Sequence, residues 1–232
     1  MIGSERANLQ EFVSTNLRRG NWDGVIRKYE EEPEAHGLKL PQSGDTALHL
    51  AAFDNQQQVV ARLVSLISSC RNQHQVGAVI GIQNDRGNTP LHIAATVGSA
   101  TMCHCIASLD PSLVDQRNNV GETPLFLAAL HGNKEAFYCL YHFCASDRIT
   151  PNCRRNDGDT VLHCALRNDQ FDLAFHIISV NNDAANWVDM QGLTPLHVLA
   201  TKPTAFRSGT IIKGWRNIVY SCDSSLQLHY PI

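Results

Sequence analysis

No stretch of the 232-residue sequence approaches the roughly 20 consecutive apolar residues that a membrane helix needs, and the nearest run, 77–82, is far shorter. The opening MIGSERANLQEFVS lacks the basic start and apolar stretch of a secretory signal, which points to a cytoplasmic chain. Lysine and arginine never run longer than the pairs Arg18-Arg19 and Arg154-Arg155, and the formal net charge is only -3. Such a chain has no field to draw in a polyanion, so nucleic acid is not expected as a partner. The eight cysteines are scattered and form no CxxC pair, which excludes a stapled scaffold and reads as reduced thiols. Phosphate loops, GxGxxG turns, GxSxG elbows and HExxH helices are all missing. No catalytic residue, cofactor, metal or small-molecule substrate is therefore expected. With 43% apolar and 18% charged residues the composition is that of an ordinary folded protein.

What the sequence has is one phrase written five times. It reads Gly44-DTALHLAA, Gly87-NTPLHIAA, Gly121-ETPLFLAA, Gly158-DTVLHCAL and Gly192-LTPLHVLA, with the glycines 43, 34, 37 and 34 residues apart. The glycine accepts the positive φ of a tight turn. The threonine two positions later can cap a helix through its hydroxyl, and Pro90, Pro124 and Pro195 then occupy the first helical position, where a missing N–H costs nothing. A second helix follows each phrase after a turn at Asn55, Gly98 and Gly132, with apolar residues at three- and four-residue steps. One such pair cannot bury its apolar face alone, so neighbours must stack.

The chain divides into a degenerate capping repeat over 4–40, five motif repeats over 41–200 and an irregular segment over 201–232, all within one domain. In the cap, Leu9, Phe12, Val13 and Leu17 share one helical face and Trp22, Val25, Ile26 and Tyr29 another. The insertion at 69–83 should project as a loop or lengthen the preceding helix, as an accessory contact. Pro203 interrupts the last repeat, and a helix is expected to restart near Ile211 and close the stack. The recurring His49, His92, His163 and His197 are read as structural hydrogen-bonding groups, because each belongs to a different repeat and Phe126 replaces the fifth. Cys103, His104, Cys105, Cys139 and His142 form the best metal candidate, with buried small apolar side chains as the favoured reading.

The phrases resemble the ankyrin-repeat family over residues 4–200. More narrowly, NDRGNTPLHIAA, GETPLFLAA and GLTPLHVLATKPTAFRSG are similar to plant ankyrin proteins of the accelerated-cell-death type, which carry a C-terminal membrane-spanning PGG domain. The resemblance implies an all-α ankyrin-repeat solenoid of helix–turn–helix units with β-turn or hairpin fingers. It also implies a non-catalytic module that binds a protein partner of unknown identity, in defence or stress signalling. Membrane association would come only through a segment that this chain lacks, at the cytosolic face of a longer parent. Self-association, or regulation of a parent with a channel-like or transport role, remains the alternative. Carried over by motif alignment, the concave contact surface comprises Phe53, Asp54, Asp85, Arg86, Asn88, Val97, Asn119, Val120, Glu122, Leu130 and His131. Asp157, Asp159, Arg167, Met190, Gln191 and Leu193 continue it.

Overall fold

The computed structural model describes residues 2–69, 73–144, 153–202 and 205, without the side chains of 2–5 and 73–75. The expected helix from Ile211 and the interruption at Pro203 lie outside the described residues. Two compact units are present, Met1–Asn156 and Asp157–Ile232.

In the first unit the motif glycines Gly44, Gly87 and Gly121 take φ of +68°, +77° and +85°, and each threonine that follows is extended. A short helix starts on the next residue. The helices are α1 (Ile2–Arg18) and α2 (Trp22–Glu31), then α3 (Ala47–Phe53), α4 (Gln57–Ser68), α5 (Gln73–Ile80), α6 (Pro90–Val97), α7 (Ala100–Ala107), α8 (Pro124–Leu130) and α9 (Lys134–Phe143). First helices α3, α6 and α8 lie side by side in one layer, and second helices α2, α4, α7 and α9 in another. The alanine pairs of the phrase are what let the layers meet: Ala51, Ala52, Ala94, Ala95, Ala128 and Ala129 are fully buried. Leu48, Leu91 and Leu125 fill the same slot of successive repeats, each burial contributing about 1.5–3 kcal/mol.

Between the two helices of each pair the chain turns through a left-handed residue, Gly20, Asn55, Gly98 and Gly132. Beyond it, the N–H of Asn21, Gln56, Ser99 and Asn133 reaches back to a carbonyl five residues earlier, at 2.9–3.2 Å. That bond closes the first helix and aims the second. In the leading helix pair Leu9, Val13, Val25 and Tyr29 are buried and Leu17, Trp22 and Ile26 half-buried, while Phe12 remains 44% exposed.

The insertion differs from the expectation. Among its described residues, α4 ends at Ser68 and 73–80 form the helix α5, whose Val76 and Ile80 are buried. Helix α5 occupies the place in its repeat where two other repeats of this unit make a short 3₁₀ turn, at Pro33–Gly37 and Pro111–Asp115.

The second unit repeats the same local chemistry. Gly158 and Gly192 have φ of +81° and +75°, Asp169 takes the left-handed turn position, and the helices are α10 (Val161–Arg167), α11 (Phe171–Val180) and α12 (Pro195–Ala200). A 3₁₀ turn at Asn182–Asn186 follows α11. Leu162, Ala165, Leu173 and Ile177 form its core.

Candidate functional site

The surface begins with the fingers, the turns that precede each first helix. Asn84 and Asn118 sit three residues before their glycines, and each side-chain oxygen accepts the N–H groups two and four residues on, at 2.9–3.0 Å. Asp189 does the same for Gln191 and Leu193 in the second unit. The finger is thus rigid before it meets anything. Within the first unit the fingers also bond sideways: Asp85 N–H donates to the Ser43 carbonyl at 3.0 Å and Asn119 N–H to the Arg86 carbonyl at 3.1 Å.

Behind the fingers, the motif histidines join one repeat to the next. The N–H groups of Thr46 and Thr89 donate to Nδ1 of His49 and His92 at 3.1 Å, so the ring proton resides on Nε2. Nε2 then donates to the carbonyl before the next motif threonine, Asn88 at 2.9 Å and Glu122 at 3.1 Å. In the second unit His163 Nε2 donates to the Leu193 carbonyl at 3.0 Å. Phe126, fully buried in the same slot, fills the space without a donor.

These rings must stay neutral. Burial pushes the imidazoles of His49 and His163 below their ordinary value and that of His92 down to about 4, against the opposing pull of the carbonyls they bond. An unfolded chain takes up these protons near pH 6.5, so between there and about pH 4 it binds more protons than the folded chain. Stability is therefore expected to be complete above about pH 7 and to fall as the pH drops through this window. His92 alone should account for about 3 kcal/mol of the loss. Urea midpoints measured from pH 4 to 8 check this, and a flat profile would remove the neutral-ring account.

The sequence-derived contact residues separate into three groups. At the finger tips, Asp85, Arg86, Asn119, Val120, Asp157, Met190 and Gln191 are exposed, with Val120 at 57% and Met190 at 75%. At the ends of the first helices Phe53, Asp54 and His131 are exposed, while Val97 and Leu130 are half-buried. The residues just after the motif glycines are not tips. Glu122 is buried, and Asn88, Asp159 and Leu193 are half-buried, because this part of the chain already turns under the finger. Glu122 accepts from Asn118 Nδ2 at 3.0 Å and pairs with Arg155 at 3.3 Å, which makes it framework. Asp159 and Arg167 are also engaged: Arg167 binds the Asp159 carboxylate and reaches Asp189 at 3.2 Å.

Two residues were missed by motif alignment. Arg18 and Arg19 precede the turn residue Gly20 as Phe53 and Asp54 precede Asn55, so they belong to the same rows, and both are exposed. The 35-residue step from Gly20 to Asn55 places this turn in the sequence; contact positions are counted from the motif glycine, which the leading repeat replaces with Leu9, so none were carried over to it.

Of the cysteine–histidine candidate, Cys103 is fully buried and Cys105 and Cys139 half-buried, and burial pushes all three thiols up. Cys139 Sγ lies 3.6 Å from the Ala100 carbonyl, while His104 packs on the edge of Phe143. Among the described residues no three histidine, cysteine or acidic side chains could hold one metal ion.

The family model for a run of three ankyrin repeats matches residues 66–148, and that for a single ankyrin repeat matches 43–73. The helix pair from Val161 and the helix from Pro195 lie outside the matched span but have the same threonine cap. None of the curated proteins matches this sequence. Among solved structures, the crystal structure of the ankyrin repeat domain of Bcl-3, described as a unique member of the IkappaB protein family, is similar at 25% identity and a TM-score of 0.60. The likeness covers 70% of this chain and 68% of that one.

Proposed function

We propose, from the premise that this chain carries ankyrin repeats and folds as their all-α solenoid, that it binds a protein partner through its finger tips and first-helix ends. The observation that carries the reading is Phe53. It ends a seven-residue helix whose Ala51 and Ala52 are fully buried, yet it is itself 68% exposed. Val120, at 57%, stands on a finger of the same unit. Apolar groups held on a rigid frame in water favour a covering partner. No step of chemistry is assigned to the surface, since the recurring histidines are spent on backbone groups.

Selection of phage-displayed random peptides on the purified chain tests the reading. Peptides retained by the native protein should lose at least about tenfold in affinity for Phe53→Asp, and more when Leu130→Asp is added, with circular dichroism unchanged. Peptides that bind these variants as well as the parent would place the contact elsewhere. Light scattering covers the alternative: a stable oligomer dissociated by Phe53→Asp would replace the foreign partner with a second copy.

Following the resemblance of its motif wording to the plant proteins with a membrane domain, we place this binding in defence or stress signalling at the cytosolic face of a membrane. Among the described residues no helix is long and apolar enough to cross one. Membrane-spanning sequence beyond Ile232 in the reading frame would support this, and a stop codon there would end it.

A further inference from the structure

We infer that the partner of the first unit presents a segment that is acidic at one end and apolar along the rest, lying with its acidic end over Arg18 and Arg19. This rests on the protein-binding reading above and adds the polarity of the bound segment.

The left-handed turn residues Gly20, Asn55, Gly98 and Gly132 bring the residues just before them into register on neighbouring repeats. Helix α1 packs on α3, α3 on α6 and α6 on α8, so the rows run in order. They read Arg18-Arg19, Phe53-Asp54, Thr96-Val97 and Leu130-His131. The first row differs in charge from the others. Arg18 Nη2 donates to the Gln42 side-chain oxygen at 3.1 Å, a neutral partner, and among the described residues neither arginine has an ion pair. In the following rows the single aspartate Asp54 stands beside Phe53, and at the nearby finger Asp85 adjoins Arg86. Among these four rows, arginine or lysine occurs only in the first. An acidic group further along would meet Asp54, while apolar groups would meet Phe53, Val97 and Leu130.

The spacing sets the length of the segment. Packed helices lie about 8–10 Å apart, so the four rows span about 25–30 Å. An extended chain covers that in about eight or nine residues, with successive apolar contacts roughly every third residue. The charge contacts set direction and encounter rate more than affinity, since exposed ion pairs contribute only about 0.2–1 kcal/mol each.

The test uses the whole chain and a phage library of random peptides about 15 residues long, enough to cross the rows in extended form. Peptides that need Phe53 should carry Asp or Glu grouped at one end and apolar residues beyond it. Their affinity should fall on the order of tenfold for Arg18→Glu with Arg19→Glu, and by a smaller factor for the paired Gln substitutions, the loss growing as salt is lowered. Circular dichroism checks that the reversed chain folds, and the Gln pair serves if it does not. Phe53-dependent peptides without an acidic block, or indifferent to both arginine pairs, overturn the inference and leave the binding surface standing. Failure to select any Phe53-dependent peptide removes the surface and the inference together.

Discussion

Gly87→Ala should lower the unfolding free energy by about 3 kcal/mol, whereas Gly20→Ala should cost about 1 kcal/mol. Both glycines have a positive φ, +77° and +66°, and an added methyl pays the left-handed penalty at either. Only one of them also faces a neighbour. A Cβ at Gly87 would stand 2.6 Å from the backbone nitrogen of Asn119, with that residue's side-chain oxygen nearer still, while at Gly20 nothing lies within 4 Å. The clash is with main chain, so the next finger must move. It would give up the bonds from Asn119 N–H to the Arg86 carbonyl and from Asn119 Nδ2 to the Asp85 carbonyl. Urea unfolding followed by circular dichroism measures both variants. Equal losses would mean that the fingers are not held against each other.

Replacing His92 with alanine should cost about 4 kcal/mol. The ring is fully buried, and its removal leaves a cavity, strips the Thr89 N–H of its acceptor and leaves the Glu122 carbonyl with only the Asn118 N–H. His92→Phe should fall between alanine and the parent, because Phe126 occupies the same slot fully buried in the following repeat. Phenylalanine restores the packing and not the bonds. The two variants also separate the pH effect from the packing effect. Each should flatten the loss of stability between about pH 6.5 and 4 by the share that His92 contributes. A phenylalanine variant as acid-sensitive as the parent would assign that sensitivity to other groups.

The phrases exposed the helix starts in the sequence because each determinant is local: a glycine for the turn, a threonine for the cap, a proline for the first helical residue. Asn55 could be placed in register for the same reason. Features set by a neighbouring element were not legible. Helix α5 contains Gly77 and ends next to Gly81, both poor helix formers, and it forms around the buried Val76 and Ile80. Glu122 has the sequence position of a finger residue, but its fate depends on Arg155, 33 residues further on. The engagement of Arg167 with Asp159 and Asp189 is likewise a relation between elements that no single phrase contains. Exposure of Phe53 could be read from motif alignment, and the 35-residue step from Gly20 to Asn55 shows where the leading repeat turns; the row of Arg18 and Arg19 stayed hidden because that repeat lacks the phrase from which contact positions are counted.

The imidazole bonds all point the same way, with the donor in the earlier repeat and the acceptor in the later one. The two ends of a repeat array built this way are chemically unequal. A repeat removed from the leading side leaves behind a carbonyl, which water can reach and satisfy easily. One removed from the trailing side strands a ring N–H in a slot shaped for burial. The leading repeat, with the buried Ser14 in place of the histidine, never makes the bond at all. Lengthening or shortening the array by whole repeats should therefore be tolerated more readily at its front than at its back.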